Sequence, residues 1–312
     1  MSDLMIVSGR SNQTLAENIA RSLGRELSPV TIRNFSDGEI WVKYEENIRG
    51  NDLFIIQSTN APSEHFMELL IMIDAAKRAS AKRITAVIPY FAYARQDRKD
   101  QPRVSITAKL IANLLTEAGA DRVITMDLHT PQIQGFFDIP LDHLYGSTVL
   151  VKKLFELRSD QLAIASPDVG GIKTARTYAK VLNADLVVVD KRRPSHNVAE
   201  VMNIIGEVSG KDIIVIDDLI DTGTTFVKCS EALVNAGAKS ITGVCTHGVF
   251  SGTAIDKINK SDAIKTVYVT DTFPNHWESG KIVTVSVAEL FGEAIERTHN
   301  NASISSLFDI IR

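Results

Sequence analysis

Ile213-Ile214-Val215-Ile216-Asp217-Asp218-Leu219-Ile220-Asp221-Thr222-Gly223-Thr224-Thr225 is the stretch from which this chain is best read. Ile213–Ile216 is apolar and β-branched, the composition of a strand buried on both faces of a parallel sheet. Beyond Thr225, the residues Phe226, Cys229 and Leu233 recur with helical period. Strand, short loop and helix form the repeating unit of an α/β fold, and ligands bind such folds beyond the carboxyl ends of the strands. Gly223 lets the backbone approach a ligand, and a helix N-terminus offers unpaired N–H groups, so the loop Asp217–Thr225 reads as an anion cradle. The hydroxyls of Thr222, Thr224 and Thr225 add donors, and each charge-assisted hydrogen bond contributes about 1.5–3 kcal/mol. Asp217 and Asp218 repel a phosphate but accept from vicinal sugar hydroxyls. The expectation is therefore ribose 5-phosphate or a derivative. The same residues also suit a plainer role, with a threonine capping the helix and the Asp pair closing a strand-end turn.

Outward from this stretch the pattern repeats. Apolar runs at Leu53–Gln57, Ile84–Pro89, Val123–Leu128, Leu162–Ala165, Leu186–Val189, Ile241–Cys245, Ile264–Val269 and Ile282–Val285 predict strands. Between them, Leu15, Ile19 and Leu23, then Phe66, Leu69, Leu70 and Ile73, then Ile106, Leu110 and Leu114 form helical stripes. Buried strands alternating with amphipathic helices predict mainly parallel sheets flanked by helices. Gly119 and Gly237 suit left-handed helix ends leading into strands. Several strands run into polar clusters: Arg95-Gln96-Asp97, His129, Ser166-Pro167-Asp168, Asp190-Lys191-Arg192-Arg193 and Asp217-Asp218. A solvated loop explains any one of these, but their recurrence at strand ends points to a ligand site.

With 312 residues, two domains are expected, divided near Gly146 after a loop at Pro140–Tyr145, as 1–145 and 146–312. A formal net charge of −4 gives no electrostatic reason to bind nucleic acid or an anionic membrane. Cys229 and Cys245 fit buried apolar positions in a reducing compartment rather than a disulfide framework. Met1-Ser2-Asp3-Leu4 lacks the basic start of a secretory signal, and no apolar run approaches the length of a membrane span. The expected compartment is the cytoplasm.

The loop Asp217–Thr225 resembles the phosphoribosyl-pyrophosphate-binding motif shared by type I phosphoribosyltransferases and ribose-phosphate pyrophosphokinases. Phe35-Ser36-Asp37-Gly38-Glu39, Tyr93-Ala94-Arg95-Gln96-Asp97-Arg98, and Thr125–His129 followed by Gln132–Pro140 resemble the pyrophosphokinases, class I-like, as do Ser166–Gly171, Asp190–Pro194, Thr246–Gly248 and Ser303–Phe308. The resemblance implies two similar phosphoribosyltransferase-type α/β domains, with the ATP side at 1–145, the ribose 5-phosphate side at 146–312, and a C-terminal tail packing back on the first. It implies transfer of the diphosphoryl group of ATP to the C1 hydroxyl of ribose 5-phosphate, releasing AMP. By carry-over, Phe35, Asp37, Gly38, Glu39, Arg95, Gln96, Asp97 and His129 bind ATP, and Arg193 joins Asp217, Asp218, Asp221, Thr222, Gly223, Thr224 and Thr225 at the ribose 5-phosphate. The resemblance further implies that Lys191 and Arg193 are catalytic, on a mobile loop, and that His129 and Asp168 belong to a Mg²⁺ site, where an imidazole is a poor direct ligand and would act through water or on a phosphate. A homo-oligomer, usually a hexamer, is implied, with the Phe35–Glu39 loop reaching a neighbour's ATP site. Inorganic phosphate and ADP are implied effectors, with Arg49, Ser303, Ser305 and Phe308 at matching positions.

Plainer roles stand beside these: Phe35 as core, His129 as structural, and Lys191–Arg193 as a solvated basic turn. The chain also departs from the resemblance. Thr224 stands where glycine is usual, Arg10 where Ser is, Thr174 where Arg is, Asp271 where Asn is, and Asn47 where some members have Ser, while in the loop Lys99–Ser105 Val104-Ser105 stand where a proline is common. The rival readings are a type I phosphoribosyltransferase and a catalytically silent synthetase-like regulatory subunit.

Overall fold

The computed structural model describes residues 3–192, 201–274 and 280–308. These fall into two compact units: residues 3–145 with 272–274 and 287–308, and residues 146–271 with 280–286.

The first unit is built on β1 (Leu4–Ser8), α1 (Gln13–Ser22), β2 (Val30–Asn34), β3 (Ile40–Tyr44), β4 (Asp52–Ile56), α2 (Glu64–Arg78), β5 (Arg83–Ile88), α3 (Thr107–Ala118), β6 (Arg122–Met126) and β7 (Leu141–Leu144). Its main sheet has the order β1-β4-β5-β6-β7, and every pair is parallel. One face, with Val7, Leu53, Ile55, Ala86 and Ile88, packs on Leu69, Ile73, Ala108 and Leu115 of α2 and α3. Ile6, Phe54, Ile56 and Val87, of the opposite parity, are buried as well, so the continuous apolar runs follow from burial on both faces. β2 and β3 form an antiparallel hairpin whose tip is Phe35–Glu39.

The second unit contains α4 (Ser147–Leu154), β8 (Leu162–Ser166), α5 (Ile172–Leu182), β9 (Asp185–Arg192), β10 (Val201–Ile205), β11 (Asp212–Ile220), α6 (Thr224–Asn235), β12 (Ser240–Gly248), α7 (Ala254–Lys260), β13 (Ile264–Thr270) and β14 (Ile282–Val285). The sheet order is β10-β9-β8-β11-β12-β13-β14, parallel except for the β10–β9 pair. Both units are thus α/β with mainly parallel sheets flanked by helices, as the alternating pattern predicts.

The chain then returns to the first unit. There α8 (Ala288–His299) packs on α1 and buries Leu290, Phe291, Ala294 and Ile295. Asp52, 3% exposed, is ion-paired with Arg83 and lies 2.8 Å from Nδ1 of His299, while Arg83 also donates to the Thr298 carbonyl at 2.9 Å. A buried carboxylate needs such partners, and here they fix the end of α8.

The structure corrects the sequence reading in several places. Pro140–Tyr145, read as a loop, contains β7. Asp217 and Asp218, read as loop residues, are strand residues, because β11 runs on to Ile220 beside an equally long β12. The stripe Ile106, Leu110 and Leu114 faces outward: Leu110 is 51% exposed, whereas Ala108, Ile111, Ala112 and Leu115 are buried. The small alanines let α3 lie close to its sheet, so the face with less apolar bulk is the inner one. β1, the β2–β3 hairpin and β10 were not anticipated.

Candidate active site

In a parallel sheet all carboxyl ends share one edge, so the clusters that follow the strands of one unit gather there. In the first unit, Asp97 beyond β5 accepts from the hydroxyl of Thr130, the neighbour of His129 beyond β6, at 2.7 Å. Gln96 accepts through its side-chain oxygen from Thr107 at 2.5 Å and through its carbonyl from the N–H of Ala108 at 3.2 Å, which ties this segment to the start of α3. Arg95 and His129 are exposed. The backbone N–H of Leu128 donates to Nε2 of the buried His143 at 2.9 Å, holding the loop that carries His129.

The hairpin tip is closed by Phe35 N–H to the Glu39 carbonyl at 2.8 Å and Gly38 N–H to the Phe35 carbonyl at 2.9 Å. Phe35 is 49% exposed, so within this chain it is not a core residue. The Asp37 carboxylate accepts from the Glu39 N–H at 3.1 Å. Arg10 braces this tip. Its Nη1 donates to the side-chain oxygen of Asn34 at 2.7 Å, and the Asn34 amide donates to the Gly38 carbonyl at 2.9 Å. At its other end Arg10 pairs with Glu68, which is fully buried and also accepts from Gln57 at 2.9 Å.

In the second unit the turn between β11 and α6 is Asp221–Gly223. Gly223 caps α6 at φ +70°, a left-handed conformation that favours glycine, and α6 opens with the exposed Thr224 and Thr225. The Asp221 carbonyl accepts from the N–H of Ser251 at 2.9 Å, which anchors the turn. Asp217 accepts at Oδ1 from the N–H of Asp218 at 2.9 Å. Its pKa is nonetheless raised well above the usual carboxylate value, by burial first and then by the negative charges of Asp218 and Asp168. Asp168 follows β8 and accepts at Oδ1 from the N–H of Gly171 at 3.0 Å, which orients its carboxylate. The arrangement favours hydroxyl donors or a cation beside a cradle of amides and hydroxyls.

Among the described residues no three His, Cys, Asp or Glu side chains converge as a metal cage. Mg²⁺ does not need one, since it takes one or two carboxylates and fills its shell with phosphate oxygens and water. The oriented Asp168 carboxylate fits that demand. Arg193 lies outside the described residues, as do the side chains of Lys191 and Phe308. The backbone of Lys191 is in β9, opposite Met202. Ser303 and Ser305 are exposed with their hydroxyls 3.0 Å apart, and Arg49 is exposed. Sequence reasoning missed His143, the bracing role of Arg10, and Lys257 of α7, whose Nζ donates to the Thr222 carbonyl at 3.1 Å and to the Thr224 hydroxyl at 2.8 Å. No local pattern signals contacts between residues so distant in sequence.

Comparison with known proteins bears on the same segments. A family model for the N-terminal domain of ribose phosphate pyrophosphokinase matches residues 4–119, and one for the phosphoribosyl synthetase-associated domain matches residues 178–309. A ribose-phosphate pyrophosphokinase of Chlorobaculum tepidum is 58% identical over 98% of this chain and 95% of its own length. One from Caldanaerobacter subterraneus is 54% identical over 98% of each. The crystal structure of phosphoribosylpyrophosphate synthetase from Mycobacterium smegmatis superposes with a TM-score of 0.91 at 39% identity, covering 96% of this chain and 100% of that one.

Proposed function

The chain belongs to the ribose-phosphate pyrophosphokinase family, and from that membership we propose how its residues divide the reaction. It is a ribose-phosphate diphosphokinase: it transfers the diphosphoryl group of ATP to the C1 hydroxyl of ribose 5-phosphate, giving 5-phosphoribosyl 1-diphosphate and AMP. Relatives of that name match nearly the whole chain, which favours this reading over a type I phosphoribosyltransferase or a silent subunit.

The observation that carries the residue assignment is the left-handed Gly223 between the Asp217–Asp218 strand end and the amide-rich start of α6. In this assignment the 5-phosphate sits on the N–H groups and hydroxyls of Thr222, Gly223, Thr224 and Thr225. Asp217, Asp218 and Asp221 hold the ribose hydroxyls, so the second unit is the sugar-phosphate domain. The first unit is the ATP domain, with Phe35 stacking on the base, Asp37, Gly38 and Glu39 accepting and donating at its edge, and Arg95, Gln96, Asp97 and His129 at the phosphates. The exposure of Phe35 and the braced hairpin support that use. Diphosphoryl transfer depends on in-line positioning and charge neutralisation. Lys191 and Arg193 meet the second need by binding the transferring group in its transition state. Mg²⁺ would be held by the Asp168 carboxylate together with ATP oxygens and water, and it would neutralise the triphosphate, while His129 acts through water or on a phosphate.

Further elements of the proposal are a homo-hexamer in which the Phe35–Glu39 hairpin serves a neighbour, and regulation by phosphate and ADP at a site including Arg49, Ser303, Ser305 and Phe308. No helix among the described residues is long and apolar enough to cross a membrane, and a cytoplasmic location is proposed.

The test is AMP release from ATP and ribose 5-phosphate. Lys191→Ala should lower kcat by about a thousandfold with little change in either KM. Near-normal turnover would remove Lys191 from the mechanism. The same assay across a phosphate titration should show activation, and a flat response would remove the effector site.

A further inference from the structure

We infer that Lys257 is a further member of the sugar-phosphate site, its ammonium supporting the 5-phosphate through the hydroxyl of Thr224. The inference rests on the reading of Asp217–Thr225 given above. Lys257 lies on α7, outside that segment, and its Nζ donates to the Thr224 hydroxyl at 2.8 Å and the Thr222 carbonyl at 3.1 Å. The Thr222 hydroxyl approaches the same Thr224 oxygen in a longer contact of 3.4 Å. A threonine hydroxyl has two lone pairs and a single proton. With the Lys257 ammonium donating to one lone pair, the Thr224 proton is left to turn toward a bound ligand at the first residue of α6, where the helical N–H groups lack intrahelical partners. The hydroxyl is then a donor already polarised by a cation, and hydrogen bonds in such a chain strengthen one another.

The charge balance of the loop points the same way. Asp217–Thr225 contains three aspartates and no Lys or Arg. A doubly charged monoester beside those carboxylates needs positive charge within a screening length of about 8 Å. An ammonium one hydrogen bond behind the cradle supplies it. The plainer alternative is a brace, in which Lys257 merely ties α7 to the turn. A brace and an electrostatic ligand differ in what their loss does.

The experiment is calorimetry of ribose 5-phosphate on the intact enzyme, with steady-state kinetics, for the wild type, Lys257→Met and Lys257→Arg. Lys257→Met should weaken binding about tenfold at low ionic strength, as expected for loss of a charge-assisted contact. The KM for ribose 5-phosphate should rise in parallel, with kcat and the KM for ATP within about twofold. Lys257→Arg should restore most of the affinity, and the deficit of the Met variant should shrink at about 0.5 M salt. In a Thr224→Val background the Lys257→Met change should cost markedly less, because the relay is already cut. Unchanged affinity in Lys257→Met, or a salt-independent loss accompanied by a lower melting temperature, would overturn the role of Lys257 alone. Absence of binding by the wild type would instead overturn the sugar-phosphate reading of the loop, and this inference with it.

Discussion

Cys229 sits on the buried face of α6, behind the cradle, and its thiol pKa is pushed up from 9.0 to about 12 by burial, with Asp217 and Asp168 adding to the shift. Cys245, opposite Asp217 in the β11–β12 register, is raised for the same reasons, burial first and then Asp217 and Asp218. A thiol whose folded pKa lies above its ordinary value stays protonated as pH approaches that value, and only the thiolate attacks electrophiles. At pH 8 the native enzyme should therefore leave both cysteines unmodified by a disulfide reagent, while the urea-unfolded chain reacts at both. Rapid uptake by the folded protein would contradict the burial. The same environment acts in the opposite sense on function, since it makes Asp217 a carboxylate eager for a hydroxyl donor or a cation. At this scale the aspartates were legible in sequence because cradle and acceptors are contiguous. Arg10, His143 and Lys257 were not, because their partners lie far along the chain.

Helix ends carry a second lesson. α3 and α6 pass into their next strands through Gly119 at φ +117° and Gly237 at φ +96°, whereas α2 does so through Ser80 at φ +62°. A β-carbon in the left-handed region costs about 1 kcal/mol that glycine avoids, offset in part by glycine's looser unfolded state. Ser80→Gly should stabilise the first unit by about 0.5–1 kcal/mol and raise its thermal midpoint by about 1–4 °C, as calorimetry would read. A lower midpoint would mean that the Ser80 side chain makes a compensating contact. The recurrence of small residues before strands was readable because each connection repeats one geometry. The α3 stripe misled because a period shows that a helix has two faces without saying which is inner. β11 outran its apolar core because its length is set by pairing with β12, and the aspartates at its end cannot announce that pairing.

Across the whole molecule, the first unit is not a continuous segment. A chain ending at Ser286 would keep β8–β14 but lose α8, which buries Leu290, Phe291 and Ile295. Burying each such side chain contributes about 1.5–3 kcal/mol, and the sum rivals the 5–15 kcal/mol by which domains are stable. Proteolysis of that truncated chain should digest the first unit and leave a resistant fragment beginning near Gly146. Equal resistance of both units would show that α8 is dispensable. The family-level reading was legible because its motifs span the chain, and the packing of the C-terminal segment on the first unit was expected from that resemblance alone, since no pattern within α8 says what it packs against.

That closure has a consequence for synthesis. Asp52 meets Arg83 early in translation, but His299 emerges only some 150 residues after Tyr145, a delay of about 8–30 s at ordinary elongation rates. During that interval the apolar surface that Leu290, Phe291 and Ile295 cover in the finished protein has no partner on the nascent chain, so the unit whose synthesis begins first is the one whose folding is completed last.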